Sequence, residues 1–275
     1  MHVQRRKEAV LAGAAACAAA LAILAAIATT PSESTALTSC GGGGRPYAAL
    51  GDSIVTGATG WPPDPFGWGS SYADRFQGNH LGPLYGTYLV NLAENGDTSW
   101  DLLQLLRTDA TLRYWVSRAC VITICIGGNN LLRCAGWPFY SDFGSSELSC
   151  ASYGANRFAS DWPQILAELD KLNPNAARFV MTVYNPFRDQ NVWWAWNDRD
   201  NHRRLEPYLH SMRNTILYWQ AAGGYDIGDA HVDWHGTSGG TYRVCNYTNM
   251  CNIARDPHPT GSGDAQIAAR HASVD

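Results

Sequence analysis

Four short stretches of this 275-residue chain carry side chains suited to acyl transfer. Gly51-Asp52-Ser53 closes one apolar run, Asn95-Gly96 follows a second, Gly127-Gly128-Asn129-Asn130 closes a third, and Asp256-Pro257-His258-Pro259-Thr260 stands near the C-terminus. A serine hydroxyl is a weak nucleophile until a base takes its proton, and His258 is the residue type that does so near neutral pH. Asp256 can hold an imidazole in the tautomer that leaves one ring nitrogen as acceptor. The N–H of Ser53, the N–H of Gly96 and the amide of Asn129 are donors of the kind that surround a developing oxyanion. Singly, Gly-Asp-Ser reads as a turn, Gly-Gly-Asn-Asn as a loop and Asp-Pro-His-Pro as a rigid surface segment. Together, in this order, they point to a serine hydrolase.

Such a set needs a frame that gathers distant segments at one edge. Short apolar runs at residues 47–50, 88–92, 120–126, 179–183 and, more weakly, 225–227 read as strands. Runs that are hydrophobic on both faces, such as 121–126, suit parallel strands covered on both sides. Helical patterns lie between them. Thr98 or Ser99 can cap a helix carrying Leu102, Leu103, Leu105 and Leu106, and Asp161 is expected to cap another with Pro163 in its first turn. A third helix has Leu205, Leu209, Met212, Ile216 and Trp219 at helical spacing, and a last one is expected over about 262–272. The alternation predicts an α/β fold, a three-layer α/β/α sandwich around a parallel sheet of about five strands. In such sheets ligands bind beyond the carboxyl ends of the strands, where three of the four stretches fall.

With these blocks in place the sequence resembles the SGNH hydrolase superfamily, the GDSL-type esterases and lipases. The resemblance runs from about Tyr47 to Ala272 and rests on Gly51-Asp52-Ser53, Gly96, Gly127-x-Asn129 and His258. It implies Ser53 as nucleophile, His258 as base, and Ser53, Gly96 and Asn129 as oxyanion donors, with no cofactor and no catalytic metal. Two positions depart from the family pattern. The family's acid usually stands three residues before its histidine, where this chain has Arg255; the acid here is Asp256, two before, and the following proline biases it toward an extended backbone. Either Asp256 or a backbone carbonyl then orients His258. The third block, which commonly ends in Asp, ends here in Asn130, expected to be a hydrogen-bonding loop residue.

Composition removes other classes. Charged residues are 16% of the chain, with 20 Lys and Arg against 24 Asp and Glu and no basic run in its body, so nucleic acid has no electrostatic footprint to bind. Only Lys7 and Lys171 are lysines, which leaves Schiff-base and P-loop chemistry without a candidate. Residues 1–28 read as a secretory signal: Arg5, Arg6 and Lys7 precede an uncharged apolar run from Ala9 to Ala28 with a small-x-small site at its end. An uncleaved membrane anchor is the alternative. Residues 29–45 read as a flexible tether ahead of an esterase domain at 46–275, with a relaxed lipobox at Cys40 as a further alternative. The expected protein is therefore secreted or attached to the outer face of the membrane, and acts as a monomer.

An oxidising compartment permits disulfides. Cys245 and Cys251 bracket a short polar loop, and Cys134 and Cys150 a small-residue excursion, so these pairs are expected to be bridged. Cys120 and Cys125, roughly 16 Å apart if extended, are expected as buried thiols, with Cys40 unpaired. His231, Asp233 and His235 alternate as an extended segment would need for a metal, but without a third block of ligands a surface or core-edge role is expected. Trp61, Trp68, Trp193, Trp194 and Trp196 fall in the loops at 54–68 and 185–200, flat apolar area suited to sugar faces or acyl chains, or to packing under the loops. Those loops lack a Leu, Ile and Phe run for a long acyl chain, so the expected substrate is a short-chain acyl or lipid ester. An acetylated polysaccharide is the alternative, and a Trp-rich binding protein without catalysis is the rival class.

Overall fold

The strands at the centre of the molecule are apolar on both sides, and the structure covers both. The computed structural model describes residues 37, 40–41, 43–58, 70–133, 142–189, 197–235, 243–251 and 255–274, within a unit spanning Glu33–Asp275. Five strands, β1 (Pro46–Gly51), β2 (Tyr88–Asn91), β3 (Val121–Cys125), β4 (Ala177–Met181) and β5 (Asp226–Gly228), form one parallel sheet in the order β2-β1-β3-β4-β5. The order reverses between β1 and β3, which opens a crevice at their carboxyl ends.

The helices, in chain order, are α1 (Ser53–Thr56), α2 (Tyr72–Phe76), α3 (Gly82–Tyr85), α4 (Ser99–Thr108), α5 (Ala110–Val116), α6 (Gly128–Leu132), α7 (Ser145–Leu172), α8 (Asp198–Gly223), α9 (Ala230–His235), α10 (Arg243–Tyr247) and α11 (Gly261–Ser273). Strand side chains alternate between two cores, as the pleat requires. Ala48, Leu50, Ile122, Ile124 and Val180 face α4, α5, α7 and α8; Tyr47, Ala49, Val121, Phe179 and Met181 face α2, α9 and α11. This is the three-layer α/β/α arrangement read from the alternation.

Two expectations are corrected. Asp161 does not start a helix, because α7 begins at Ser145 and runs on through Pro163. Proline lacks one helical N–H, but packing of α7 between α4 and α8 outweighs that loss. Asp161 is instead buried inside α7, accepting hydrogen bonds from Ser99 Oγ at 2.9 Å and Arg157 Nε at 3.1 Å.

Cys120 is not a free thiol and Cys40 is not unpaired: they form a disulfide with each other. Cys120 N donates to Pro46 O, so the start of β3 lies beside the start of β1, and the disulfide holds Cys40 there as well. Leu37 and Cys40 are buried in the core beneath α2, where a flexible tether was expected. A sulfur bonded to Cys120 is also closed to lipid attachment. Cys125 is a buried free thiol, and Cys245–Cys251 are bridged. Cys150 is disulfide-bonded; Cys134, expected to pair with it, lies outside the described residues. The leader at 1–28 and the five loop tryptophans lie outside them as well. Among the described residues no helix is long and apolar enough to cross a membrane.

Candidate active site

The site is assembled at the carboxyl end of the sheet from three loops and the segment that leads into α11. β1 ends at Gly51, whose φ of +144° and contact with β3 admit no side chain: a Cβ there would lie 1.9 Å from Cys125 O. This close passage delivers Asp52 and Ser53 directly into α1. Asp52 caps that helix, its Oδ1 accepting from Ile54 N at 3.1 Å. Burial pushes the Asp52 carboxyl up to about 7, with the Ile54 N–H and nearby His258 pulling the other way. Ser53, at the first helical position, is half-buried.

The histidine arrives from the far end of the chain. Its segment is held by backbone pairing with the loop that follows α10: Asn249 N donates to His258 O at 3.0 Å, Thr260 N donates to Tyr247 O at 2.8 Å, and Thr248 bridges to Pro259. The Cys245–Cys251 disulfide closes that supporting loop. From below, the buried Tyr184 hydroxyl donates to Pro257 O at 2.5 Å. Thr260 then caps α11 through Gly263 N.

So held, His258 Nε2 lies 2.7 Å from Ser53 Oγ, and His258 Nδ1 lies 2.5 Å from Asp256 Oδ1. The carboxylate also accepts from His258 N at 3.0 Å. A carboxylate only accepts, so Nδ1 carries the proton and Nε2 is the acceptor for the serine O–H. The proline after Asp256 does not prevent this contact. Main chain and ring of the same histidine both bond one carboxylate oxygen, which closes a tight turn over Pro257.

Gly96 and Asn129 sit on the loop after β2 and at the start of α6. Asn129 Nδ2 donates to Asp97 O at 2.9 Å, and Asn95 Oδ1 accepts from Thr56 Oγ1 at 2.6 Å, so the Gly96 loop is tied to both α6 and α1. Gly96 is exposed at φ +87°, and a Cβ there would meet open space; its glycine character serves the backbone conformation. Asn129 has a second amide hydrogen beyond the one given to Asp97. Asn130 is buried and structural: its Oδ1 accepts from Ser99 N at 2.9 Å, and its Nδ2 donates to Ser99 Oγ at 2.9 Å and Gly154 O at 3.2 Å. Burial, then the charges of Glu94 and Asp101, push Asp97 up to about 6.

Sequence reading did not anticipate the support beneath Asp256. Arg255, at φ +51° and fully buried, pairs with Asp198 at the start of α8, and Arg188 pairs with the other Asp198 oxygen. The one available signal was an arginine in the position where the family's acid was sought. The His231, Asp233 and His235 alternation is not extended, since all three lie in α9, where side chains two apart leave on different faces. Asp233 pairs with Arg270, and His231 is buried against Glu206.

No curated protein matches the sequence. Solved structures share the fold at low identity. A lipase from a goat rumen metagenome superposes with a TM-score of 0.62 at 17% identity, covering 84% of this chain and 97% of that one. An extracellular lipase from Streptomyces rimosus gives 0.61 at 18% identity, covering 84% and 100%. An acetyl xylan esterase from Geobacillus stearothermophilus gives 0.57 at 16% identity, covering 86% and 96%. A match to the GDSL-like lipase/acylhydrolase family extends over residues 47–270, nearly the whole of the folded unit. The chain thus belongs to the GDSL-like lipase/acylhydrolase family and is a carboxylic ester hydrolase.

Proposed function

We propose that this protein is an exported serine esterase that works through an acyl-enzyme on short-chain acyl esters. The observation that carries the reading is the continuous contact from Ser53 Oγ through His258 to Asp256, at 2.7 and 2.5 Å. In the first step His258 Nε2 takes the Ser53 proton as Oγ forms its bond to the ester carbon. The carbonyl oxygen becomes an oxyanion, met by the N–H groups of Ser53 and Gly96 and by the remaining amide hydrogen of Asn129. Collapse expels the alcohol, which receives the proton from His258. Water then gives a proton to Nε2 as its oxygen bonds to the acyl carbon; the bond to Ser53 Oγ breaks, Oγ takes that proton back from Nε2, and the acid leaves. Asp256 stays ionised throughout and holds the imidazolium that forms twice in the cycle.

Export is supported by the apolar leader and by the bridges at Cys40–Cys120 and Cys245–Cys251. Short acyl groups are favoured because each buried methylene contributes about 0.8 kcal/mol only where an apolar slot receives it. In sequence, the segments at 54–68 and 185–200 carry five tryptophans and no run of Leu, Ile and Phe. Acetyl groups on a polysaccharide are the second reading, and the likeness in fold to an acetyl xylan esterase favours it.

Rates across p-nitrophenyl esters from acetate to palmitate test the chain-length reading. A maximum among the shortest acyl groups is expected, and a maximum at laurate or longer would overturn it. Ser53→Ala is expected to abolish fluorophosphonate labelling and lower turnover by several orders of magnitude without loss of fold.

A further inference from the structure

Three imidazoles converge on the carboxylate of Glu206, away from the Ser53, His258 and Asp256 contacts. His202, Glu206 and His210 are spaced four apart on α8 and share one face of it. His231 comes from α9. His231 Nε2 lies 3.1 Å and His210 Nε2 3.2 Å from Glu206 Oε1, and His202 Nε2 lies 4.0 Å from Oε2. The donor atoms of Glu206, His210 and His231 all lie within 4.8 Å of one another.

The surroundings fix which ring nitrogens face inward. His231 Nδ1 lies 3.2 Å from Val183 O, and His202 Nδ1 lies 3.1 Å from Phe187 O. A carbonyl oxygen only accepts, so both rings carry a proton on Nδ1 and turn Nε2 toward Glu206. A ring N–H given to a backbone carbonyl, with the other nitrogen aimed at a common point, is how metal-binding histidines are oriented. The carboxylate is oriented too: Asn185 Nδ2 donates to Glu206 Oε2 at 2.7 Å, leaving Oε1 toward His210 and His231. With bonds of about 2.0–2.1 Å, tetrahedral geometry puts neighbouring ligand atoms roughly 3.3 Å apart. The two Oε1 to Nε2 separations match that edge. The His210 side chain, 54% exposed, leaves a path for an ion to enter.

We propose that Glu206, His210 and His231 bind one zinc ion that fastens α9 to α8. Imidazole with carboxylate suits zinc, and ligands drawn from two helices would tie those helices together. The ion would hold the helix whose first residue, Asp198, pairs with Arg255 beside the candidate catalytic acid.

Tag-free protein, stripped with EDTA and exchanged into metal-free buffer, is titrated with zinc chloride by calorimetry and melted with and without the metal. About one equivalent should bind, and zinc at roughly 100 times its Kd should raise Tm by about 5–10 °C. His210→Ala, at an exposed position that folding tolerates, should weaken binding at least about tenfold, and Glu206→Gln likewise. Fluorophosphonate labelling of both variants checks that they are folded. Absence of zinc binding up to millimolar concentration would overturn the proposal, and so would an unchanged affinity in folded His210→Ala and Glu206→Gln.

Discussion

Arg255 Nη2 lies 2.5 Å from Asp198 Oδ1, and neither side chain touches solvent. Arg188 Nε meets the other oxygen of the same carboxylate at 3.0 Å. Asp198 opens α8 and Arg255 directly precedes Asp256, so one buried carboxylate joins the loop after β4 to the loop that brings His258 home. The pair also holds Arg255 in the left-handed region at φ +51°, which costs a non-glycine residue on the order of 1 kcal/mol. Buried pairs add little net stability over apolar packing, but one left without its partner is expensive.

Asp198→Asn is therefore expected to lower unfolding free energy by about 3–5 kcal/mol, read by urea denaturation. Because the loop carries Asp256, kcat should fall while KM changes little. A variant with wild-type stability and kcat would show that the ion pair positions nothing.

Asp256→Asn keeps the side-chain shape but replaces an obligate acceptor with an amide able to present N–H to His258. Turnover on p-nitrophenyl acetate is expected to drop by about 10⁴-fold, by analogy with other triads. A loss of less than tenfold would mean that another group orients the ring.

Burial raises the Asp52 carboxyl to about 7 on folding. Between about pH 4 and 7 the folded chain keeps a proton that the unfolded chain has released, so this group's share of stability falls as pH rises through that window. The buried Asp264, raised by burial to about 7, acts in the same direction, while His271, lowered by burial to about 3, opposes both. Asp52→Asn should remove the Asp52 share alone, on the order of 2 kcal/mol between about pH 5 and pH 7. Denaturation of both proteins at the two pH values measures the difference. A wild type that loses no more than the variant would place the ionised carboxylate in the folded state.

The Cys40–Cys120 bridge closes a loop of 80 residues. Chain entropy gives such a crosslink a stabilisation of about 4.5 kcal/mol, against about 2 kcal/mol for the short Cys245–Cys251 loop. A Cys40→Ser/Cys120→Ser double variant should lose several kcal/mol in chemical denaturation. A loss below about 1 kcal/mol would show that Leu37 and its neighbours dock without the crosslink.

Local pattern carried much of this protein. The five strands were legible because a parallel sheet covered on both faces leaves runs without polar alternation, and 121–126 is such a run. Three of the four blocks were legible because each chemistry-bearing residue sits where an apolar run stops, and the fourth because His258 stands just ahead of the last helix. The start of α7 was not: Ser145, Ser146, Ser149, Gly154 and Ser160 are poor helix formers, and Pro163 imitates a first turn. Packing settled it. Gly154 lets α7 approach α6 so closely that a Cβ would lie 1.8 Å from Asn130 O, a constraint no local window contains.

By itself, the sequence determined the sheet's membership, the residue types at Ser53 and His258, and a body without a basic run. Only the tertiary structure decided that Asp256 reaches His258 from two residues away, that Cys40 pairs with Cys120 rather than standing alone, and that Arg255 answers Asp198. It also decided that His202, His210 and His231 share Glu206. Periodicity and propensity act over a few residues and fix which elements form. These pairings depend on backbone angles at a single turn, or join segments up to 80 residues apart. Their partners are set by the order in which strands line up in the sheet, and composition or spacing along the chain does not encode that order.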